Sequence, residues 1–443
     1  MKKFSLHVLA MTALSLLSFS SSADDLMTIY KSALQNDTQF RAAQAEYQAL
    51  LESKNQSVAG FLPTISANAY YTDNDSETVS ASPSSDDYKT DGYSLNLTQP
   101  LYRHSNYVGL TQADAAVAQA QANFEYAKQD LIIRVVKQYF AVLAAGDDLE
   151  FAKAERKSIK QQLNQTKQRF NVGLIAITDV HEAQARFDQA VARDIVAENT
   201  LANSLEVLRE ITNQEHSDLA FLSASHPLVK PEPADIDQWI KTANDQNALL
   251  MASIQAVEVA RAEVDLQNSG HYPTLDLTAS HAKTNYGAGT PLYGEREQTS
   301  NSISLQLNVP IYQGGLVTSK KRAAAYRLTQ AQEMLDKQRR ATERQTRNSY
   351  LSVIANISQV KALKQALASS LVALEATQAG FEVGTRTTVD VLNSQQGLFR
   401  ARRDYAQVRY NYVLETLSLK LAAGTLSVVD IEQLNPWLKK HRK

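Results

Sequence analysis

Apolar and polar residues alternate strictly after two prolines. Beyond Pro63, Ile65, Ala67, Ala69 and Tyr71 share one side of an extended chain, and Thr64, Ser66, Asn68 and Tyr70 share the other. Beyond Pro273, Leu275, Leu277 and Ala279 oppose Thr274, Asp276, Thr278 and Ser280. Each run has a partner: Tyr93, Leu95 and Leu97 alternate with Ser94, Asn96 and Thr98, and Ile303, Leu305, Leu307 and Val309 with Ser304, Gln306 and Asn308. Successive side chains change sides only along a strand, so the pattern predicts two β-hairpins, at 64–102 and 274–312. Long polar loops are expected at their tips, over 73–91 and 283–301.

The period changes after each hairpin. From about Ser105 to Arg169 there is no proline, and glycine occurs only at 109 and 146. Apolar residues there step by three, four and seven in two neighbouring stripes, Leu131, Val135, Val142, Leu149 and Ile132, Val136, Phe140, Leu143. This predicts a helix of about 65 residues, ~100 Å long at 1.5 Å per residue, too long for a compact globule. Two stripes suit a helix packed on both sides, in the wall of a tube or in a bundle. After Tyr312-Gln313-Gly314-Gly315 the pattern repeats to about Gly380.

The chain is in fact written twice. At a shift of 210 or 211 residues, Leu62-Pro63-Thr64 meets Tyr272-Pro273-Thr274, Pro100-Leu101-Tyr102 meets Pro310-Ile311-Tyr312, Phe170-Asn171-Val172-Gly173 meets Phe381-Glu382-Val383-Gly384, and Asp179-Val180 meets Asp390-Val391. Such a period exceeds those of solenoids and marks duplication of a whole unit. The expected organisation is a first copy over 24–226, a proline-punctuated linker at 227–233, a second copy over 234–435 and a basic tail at 436–443.

Lys2 and Lys3, the apolar run Val8 to Leu17 and the small residues Ser21-Ser22-Ala23 have the pattern of a secretory signal peptide at 1–23, so the mature chain is expected to begin at Asp24. No later segment reaches the ~20 apolar residues of a spanning helix, which leaves β-strands or an interfacial face for any membrane contact. A signal peptide, amphipathic hairpins and polar loops together favour an outer-membrane barrel over a half-buried soluble sheet. Four strands cannot close alone, since small barrels need ~8 and an open edge in lipid leaves backbone groups unpaired. Copies must therefore assemble, two giving eight strands and three giving twelve.

Composition excludes other classes. With 45 basic and 47 acidic residues no nucleic acid partner is indicated, and without cysteine there are no disulfides, thiolate metal sites, cysteine nucleophiles or lipid attachment through an N-terminal cysteine. The histidines at 104, 181, 216, 226, 271, 281 and 441 lack metal-ligand spacing, and Gly287-Ala288-Gly289 is not followed by a helix, so no cofactor and no catalytic constellation is expected. Gly173 and Gly384 are expected to stop long helices in the left-handed conformation, with Asp179 and Glu182 capping the helix that returns.

The runs Phe170 to Val180 and Val383 to Val391 resemble the paired periplasmic-tip motifs of the TolC family of outer-membrane channel-tunnels, and 272–280 with 310–315 resemble the same family. The resemblance covers essentially the whole mature chain. It implies a mainly α protein with β: a homotrimer whose twelve-stranded barrel, four strands per chain, continues into a twelve-helix periplasmic α-helical barrel. It implies a passive exit duct of tripartite efflux and type I secretion, opened by a periplasmic adaptor and an inner-membrane pump or ABC transporter, and no enzyme. A trimeric β-anchored coiled-coil stalk, structural or adhesive, is the alternative. By the same resemblance Gln168, Thr178, Asp179, Phe381, Arg386, Asp390 and Asn393 form the periplasmic gate, with Arg386 tied to Thr178 and Asp179 and a cation-blocking ring at Asp390. Gly173, Leu174, Gly384 and Thr385 are the adaptor-docking turns. Phe381 stands where the family has tyrosine, and Asn393 where it has a second aspartate, so a weakened gate and a less charged ring are expected.

Overall fold

The computed structural model describes residues 24–78, 84–216, 218–288, 290 and 294–439. The signal peptide 1–23 and residues 440–443 of the basic tail lie outside the described residues. Two short helices, α1 (Leu26–Asn36) and α2 (Thr38–Ala59), lead into strands β1 (Thr64–Thr78) and β2 (Ser84–Arg103), followed by the long α3 (His104–Asn171) and α4 (Ile177–Thr212). After a connection holding the short β3 (Phe221–Leu222), the order recurs as α5 (Ile236–Gln246), α6 (Ala248–Asn268), β4 (Thr274–Tyr286), β5 (Arg296–Asn308), α7 (Leu316–Glu382) and α8 (Thr388–Ala423). Helix α9 (Val428–Leu434) and strand β6 (Leu438–Lys439) finish the described chain.

Aspartates break the chain into its short helices at the start of the first copy. Asp25 accepts from Thr28 N–H at 2.8 Å and Asp37 from Phe40 N–H at 2.6 Å, each satisfying a helix-end donor. Asp37 also takes two bonds from the Arg134 guanidinium, at 2.8 and 3.0 Å, which fix α2 to α3. Burial opposes the charge on Asp37, but these Arg134 bonds and the cap hold its carboxyl below the ordinary range.

The two hairpins join in one antiparallel sheet in the order β1-β2-β4-β5. Ile65, Leu97, Ala279 and Ile303 line up across all four strands, so the apolar sides of both hairpins coincide. Among the described residues nothing covers that side: Ile65 is 72% exposed and Ile303 81%. The other side is polar, with hydroxyl pairs Thr278–Ser304 at 2.7 Å and Ser280–Ser302 at 2.8 Å, and the Arg103–Asp276 ion pair at 2.9 Å. The outer edges of β1 and β5 pair with no strand among the described residues.

The expected loops are shorter than the alternation suggested. Strands continue through Asp73 to Thr78, Ser84 to Asp91, Lys283 to Tyr286 and Arg296 to Asn301. The backbone ladders continue there, so the strands can extend with polar residues on both faces, helped by pairs such as Lys283–Glu297 at 2.9 Å. At the other end β5 stops at Asn308, short of Tyr312, because Pro310 has no N–H to give a ladder. Strand β2 accommodates Pro100 through a register shift between Pro100 and Tyr102.

The predicted long helices are present and unbroken, 68 residues in α3 and 67 in α7. Near the sheet, α3 packs between α2 and α6, and α7 lies beside α6; farther away α3 pairs with α4, α7 with α8, and α3 with α8. Both apolar stripes of α3 are thus used. The main core sits midway along, where Leu131, Val135, Tyr139 and Phe140 of α3 meet Ile29 of α1, Tyr410 and Val413 of α8 and Ile431 of α9. Tyr139 donates its hydroxyl to the carbonyls of Asp24 and Ala220. Pairing of β3 with β6 brings the C-terminal segment back to the joint between the copies. That joint spans everything from Asn213 to Asp235, longer than the linker expected at 227–233.

Candidate functional site at the helix turns

Both long helices end in the same way. Gly173 has φ 76° and Gly384 φ 80°, the left-handed conformation that non-glycine residues adopt only with strain. Leu174 N–H returns to the Arg169 carbonyl and Thr385 N–H to the Gly380 carbonyl, at 2.9 and 2.8 Å, which closes each helix end. A Cβ at either glycine would meet nothing within 4 Å, and the flanking Val172, Leu174 and Val383 are each at least 70% exposed. The turns present bare backbone and apolar side chains to whatever approaches.

The returning helices start differently. Thr387 caps α8: Asp390 N–H donates to Thr387 Oγ1 at 3.2 Å, and Thr387 N–H donates back to Asp390 Oδ2 at 2.9 Å. Bonds from the Thr387 N–H and hydroxyl, in that order, hold the Asp390 carboxyl below its usual range. In the first copy the position three residues before Asp179 is Ala176, which has no side-chain acceptor, so α4 begins without a side-chain cap. The expected cap by Asp179 and Glu182 is therefore not made. Asp179 lies in the first turn, and Glu182 pairs with Arg186 at 3.4 Å.

Within one chain, the Arg386 side chain makes no hydrogen bond or ion pair with Thr178 or Asp179. Its stem packs over Gly380 and its N–H donates to the Gly380 carbonyl at 3.1 Å. Gln168 is exposed and contributes its carbonyl to Val172 N–H. Phe381 is buried, with the Arg169 guanidinium carbon 4.1 Å from its ring centroid. Asn393 Oδ1 accepts from Arg186 Nη2 at 3.3 Å. So Phe381, where a weakened gate was expected, and Asn393, where a less charged ring was expected, are each contacted by an arginine of α3 or α4. Neither arginine stands out in the sequence, because nothing in one chain's spacing pairs residues some 210 positions apart.

Above this level Ile159, Leu163, Ala183, Ala190 and Leu392 form a separate apolar cluster between α3, α4 and α8. Higher still, Arg403 of α8 reaches Glu155 at 3.2 Å and Arg193 of α4 reaches the same carboxylate at 3.5 Å. Tyr410 donates to Asp147 at 2.7 Å, and burial pushes its hydroxyl up to about 12. No group of three or more His, Asp or Glu that could hold a metal occurs among the described residues.

The pattern described as outer membrane efflux protein matches residues 29–214 and again residues 239–425, one match per copy. The chain belongs to the outer membrane efflux protein family. Similar members include the outer membrane protein TolC of Vibrio cholerae serotype O1, 39% identical over all of both chains. The alkaline protease secretion protein AprF of Pseudomonas aeruginosa is 30% identical, over 92% of this chain and 86% of that protein. In fold the chain is similar to the Campylobacter jejuni CmeC outer membrane channel, with a TM-score of 0.77, 15% identity and coverage of 99% and 98%. Members of this outer-membrane family serve efflux and type I secretion, and the duplicated hairpin-and-helix unit is what they share with this chain.

Proposed function

We propose that three copies of this chain form a passive duct through the outer membrane, a twelve-stranded barrel continued by a tube of helices across the periplasm. The sheet carries this reading. Its free edges, β1 and β5, each continue into a helix at the rim of the packed layer, α2 and α7, so one copy's β5 and α7 can close on the next copy's β1 and α2. That contact is head-to-tail, and rotation of such contacts closes a ring. The uncovered apolar side then faces lipid and the hydroxyl-rich side lines the bore.

The leader 1–23 directs export. Removal after Ala23 suits the structure, since Asp24 is held by its N–H to the Asp218 carbonyl at 2.9 Å and by His216 at 2.7 Å. The turns at Gly173-Leu174 and Gly384-Thr385 receive the hairpin of a periplasmic adaptor, coupled to an inner-membrane pump or ABC transporter that supplies the energy; the chain performs no chemistry on its cargo. Arg386 finds Thr178 and Asp179 on the neighbouring protomer, which fits its lack of such a bond within one chain. A β-anchored stalk has less support, because such an anchor needs one contiguous block of strands and here the hairpins flank a 68-residue helix.

Native mass spectrometry of the detergent-solubilised protein is expected to give the mass of three mature chains, and planar lipid bilayers should record stepwise conductance. A mass of one or two chains overturns the trimer, and a trimer that never conducts overturns the duct.

A further inference from the structure

We propose that Arg169 and Arg186 are the positioning residues of the closed mouth, two clamps by which the outer helix pair holds the inner pair within each protomer. The proposal rests on the channel reading above and adds residues to it.

Both arginines come from the α3–α4 pair, and both targets belong to the α7–α8 pair. Arg169, in the last turn of α3, lies with its guanidinium 4.1 Å from the centre of the Phe381 ring in the last turn of α7. That ring is 6% exposed, so the cation faces it in a site largely closed to water, where attraction to the π face is strongest. Arg186, in α4, donates to Asn393 Oδ1 at 3.3 Å, while Glu182 one turn back takes its Nε at 3.4 Å and sets its direction. The apolar cluster with Leu392 lies above. Each clamp crosses from one helix pair to the other.

The consequence for opening is specific. If the mouth opens by α7 and α8 moving away from α3 and α4, both contacts break. If the four helices of a protomer move as one body, neither does. The clamps therefore bear only on the first motion, and they act without any contact to the cargo.

Single-channel conductance in planar bilayers tests this, with trimer content checked on the same samples. Arg169→Gln and Arg186→Gln should each raise conductance or open time several-fold, and the double variant should exceed either. Phe381→Leu should match Arg169→Gln, and combining the two should add nothing. Asn393→Asp adds a charge opposite Arg186 and should lower conductance, but not in the Arg186→Gln background. Unaltered conductance in both arginine variants with intact trimers overturns the proposal, as does Asn393→Asp acting equally in both backgrounds. An unaltered protein that does not conduct at all would overturn the channel reading instead.

Discussion

The Tyr70 hydroxyl bonds Thr284 Oγ1 at 2.9 Å, reaching from β1 over β2 to a strand with which β1 shares no ladder. It passes over Gly92, where a Cβ would lie 2.5 Å from the Lys283 carbonyl oxygen and 3.0 Å from the Tyr70 hydroxyl. One glycine and one tyrosine thereby stitch three strands together on the polar side of the sheet.

Gly92→Val is accordingly expected to overfill this crossing at a cost of about 1–3 kcal/mol. The folded protein should lose its resistance to heating in detergent at lower temperature, with Tyr70→Phe showing a smaller shift. Equal heat resistance in Gly92→Val would mean that the strands part more easily than the register implies.

At the helix turns, side-chain volume and backbone strain can be separated. Asparagine tolerates the left-handed conformation and valine does not, the penalty there being roughly 1–2 kcal/mol per residue. Gly173→Asn and Gly384→Asn should leave trimer yield unchanged yet impair export, since the added side chain points into the open space an adaptor would fill. The valine variants should impair both yield and export. Full efflux in the asparagine variants would place docking elsewhere.

Asp390 supplies the third prediction. Its carboxyl is held low by the Thr387 N–H and hydroxyl, so it stays ionised as pH falls past about 3.9, where an ordinary aspartate is half protonated. If three copies ring the mouth, block by hexamminecobalt should persist down to that region and vanish below it as the group takes up protons. Asp390→Asn should abolish block while keeping an acceptor for the cap, and Asp390→Ala should abolish both. Added acid at 393 should tighten block fully only when Arg186 is also replaced, because its guanidinium otherwise offsets the new charge. Tight block in Asp390→Asn would put the ring at other residues.

His226 gives a pH dependence of stability. Burial, and then the nearby Arg409 cation, lower its pKa to about 4, and its ring lies edge-on to Tyr412 and Trp437. The folded protein keeps this histidine neutral where the unfolded chain would protonate it, so its contribution is complete above about pH 6.5 and is lost as pH falls toward 4. The loss should reach roughly 2 kcal/mol, after allowing for water that still reaches the ring. Calorimetry should show a fall in Tm over that interval that His226→Phe flattens. An identical profile in the variant would assign the dependence to other groups.

Much of this arrangement is legible in the chain itself. Ile65 and Ile303 lie on the uncovered apolar side of the sheet because side chains alternate along a strand, and Leu131 and Phe140 lie on buried faces because a helix repeats near 3.6. Local rules ended where partners come from far away. The ribbon beyond Asp73 has no hydrophobic alternation, so only its cross-strand ladder reveals it. The cap at Thr387 follows from its spacing to Asp390, and the missing cap at Ala176 follows from the same rule applied to the first copy. Arg169 and Arg186 could not be paired with Phe381 and Asn393 from one sequence, since each contact joins elements that meet only after both copies have folded on each other.

The bare edges of β1 and β5 also bear on the order of events during biogenesis. A lone protomer inserted in lipid would strand two rows of unpaired amides and carbonyls, each group costing on the order of several kcal/mol. For the proposed trimer, insertion by one chain would thus be blocked until its neighbours arrive, and the rate of barrel appearance should rise steeply with the concentration of chain. In that proposed assembly a slowly expressed chain would wait unassembled and open to proteases, whereas a burst of synthesis would carry it past that stage.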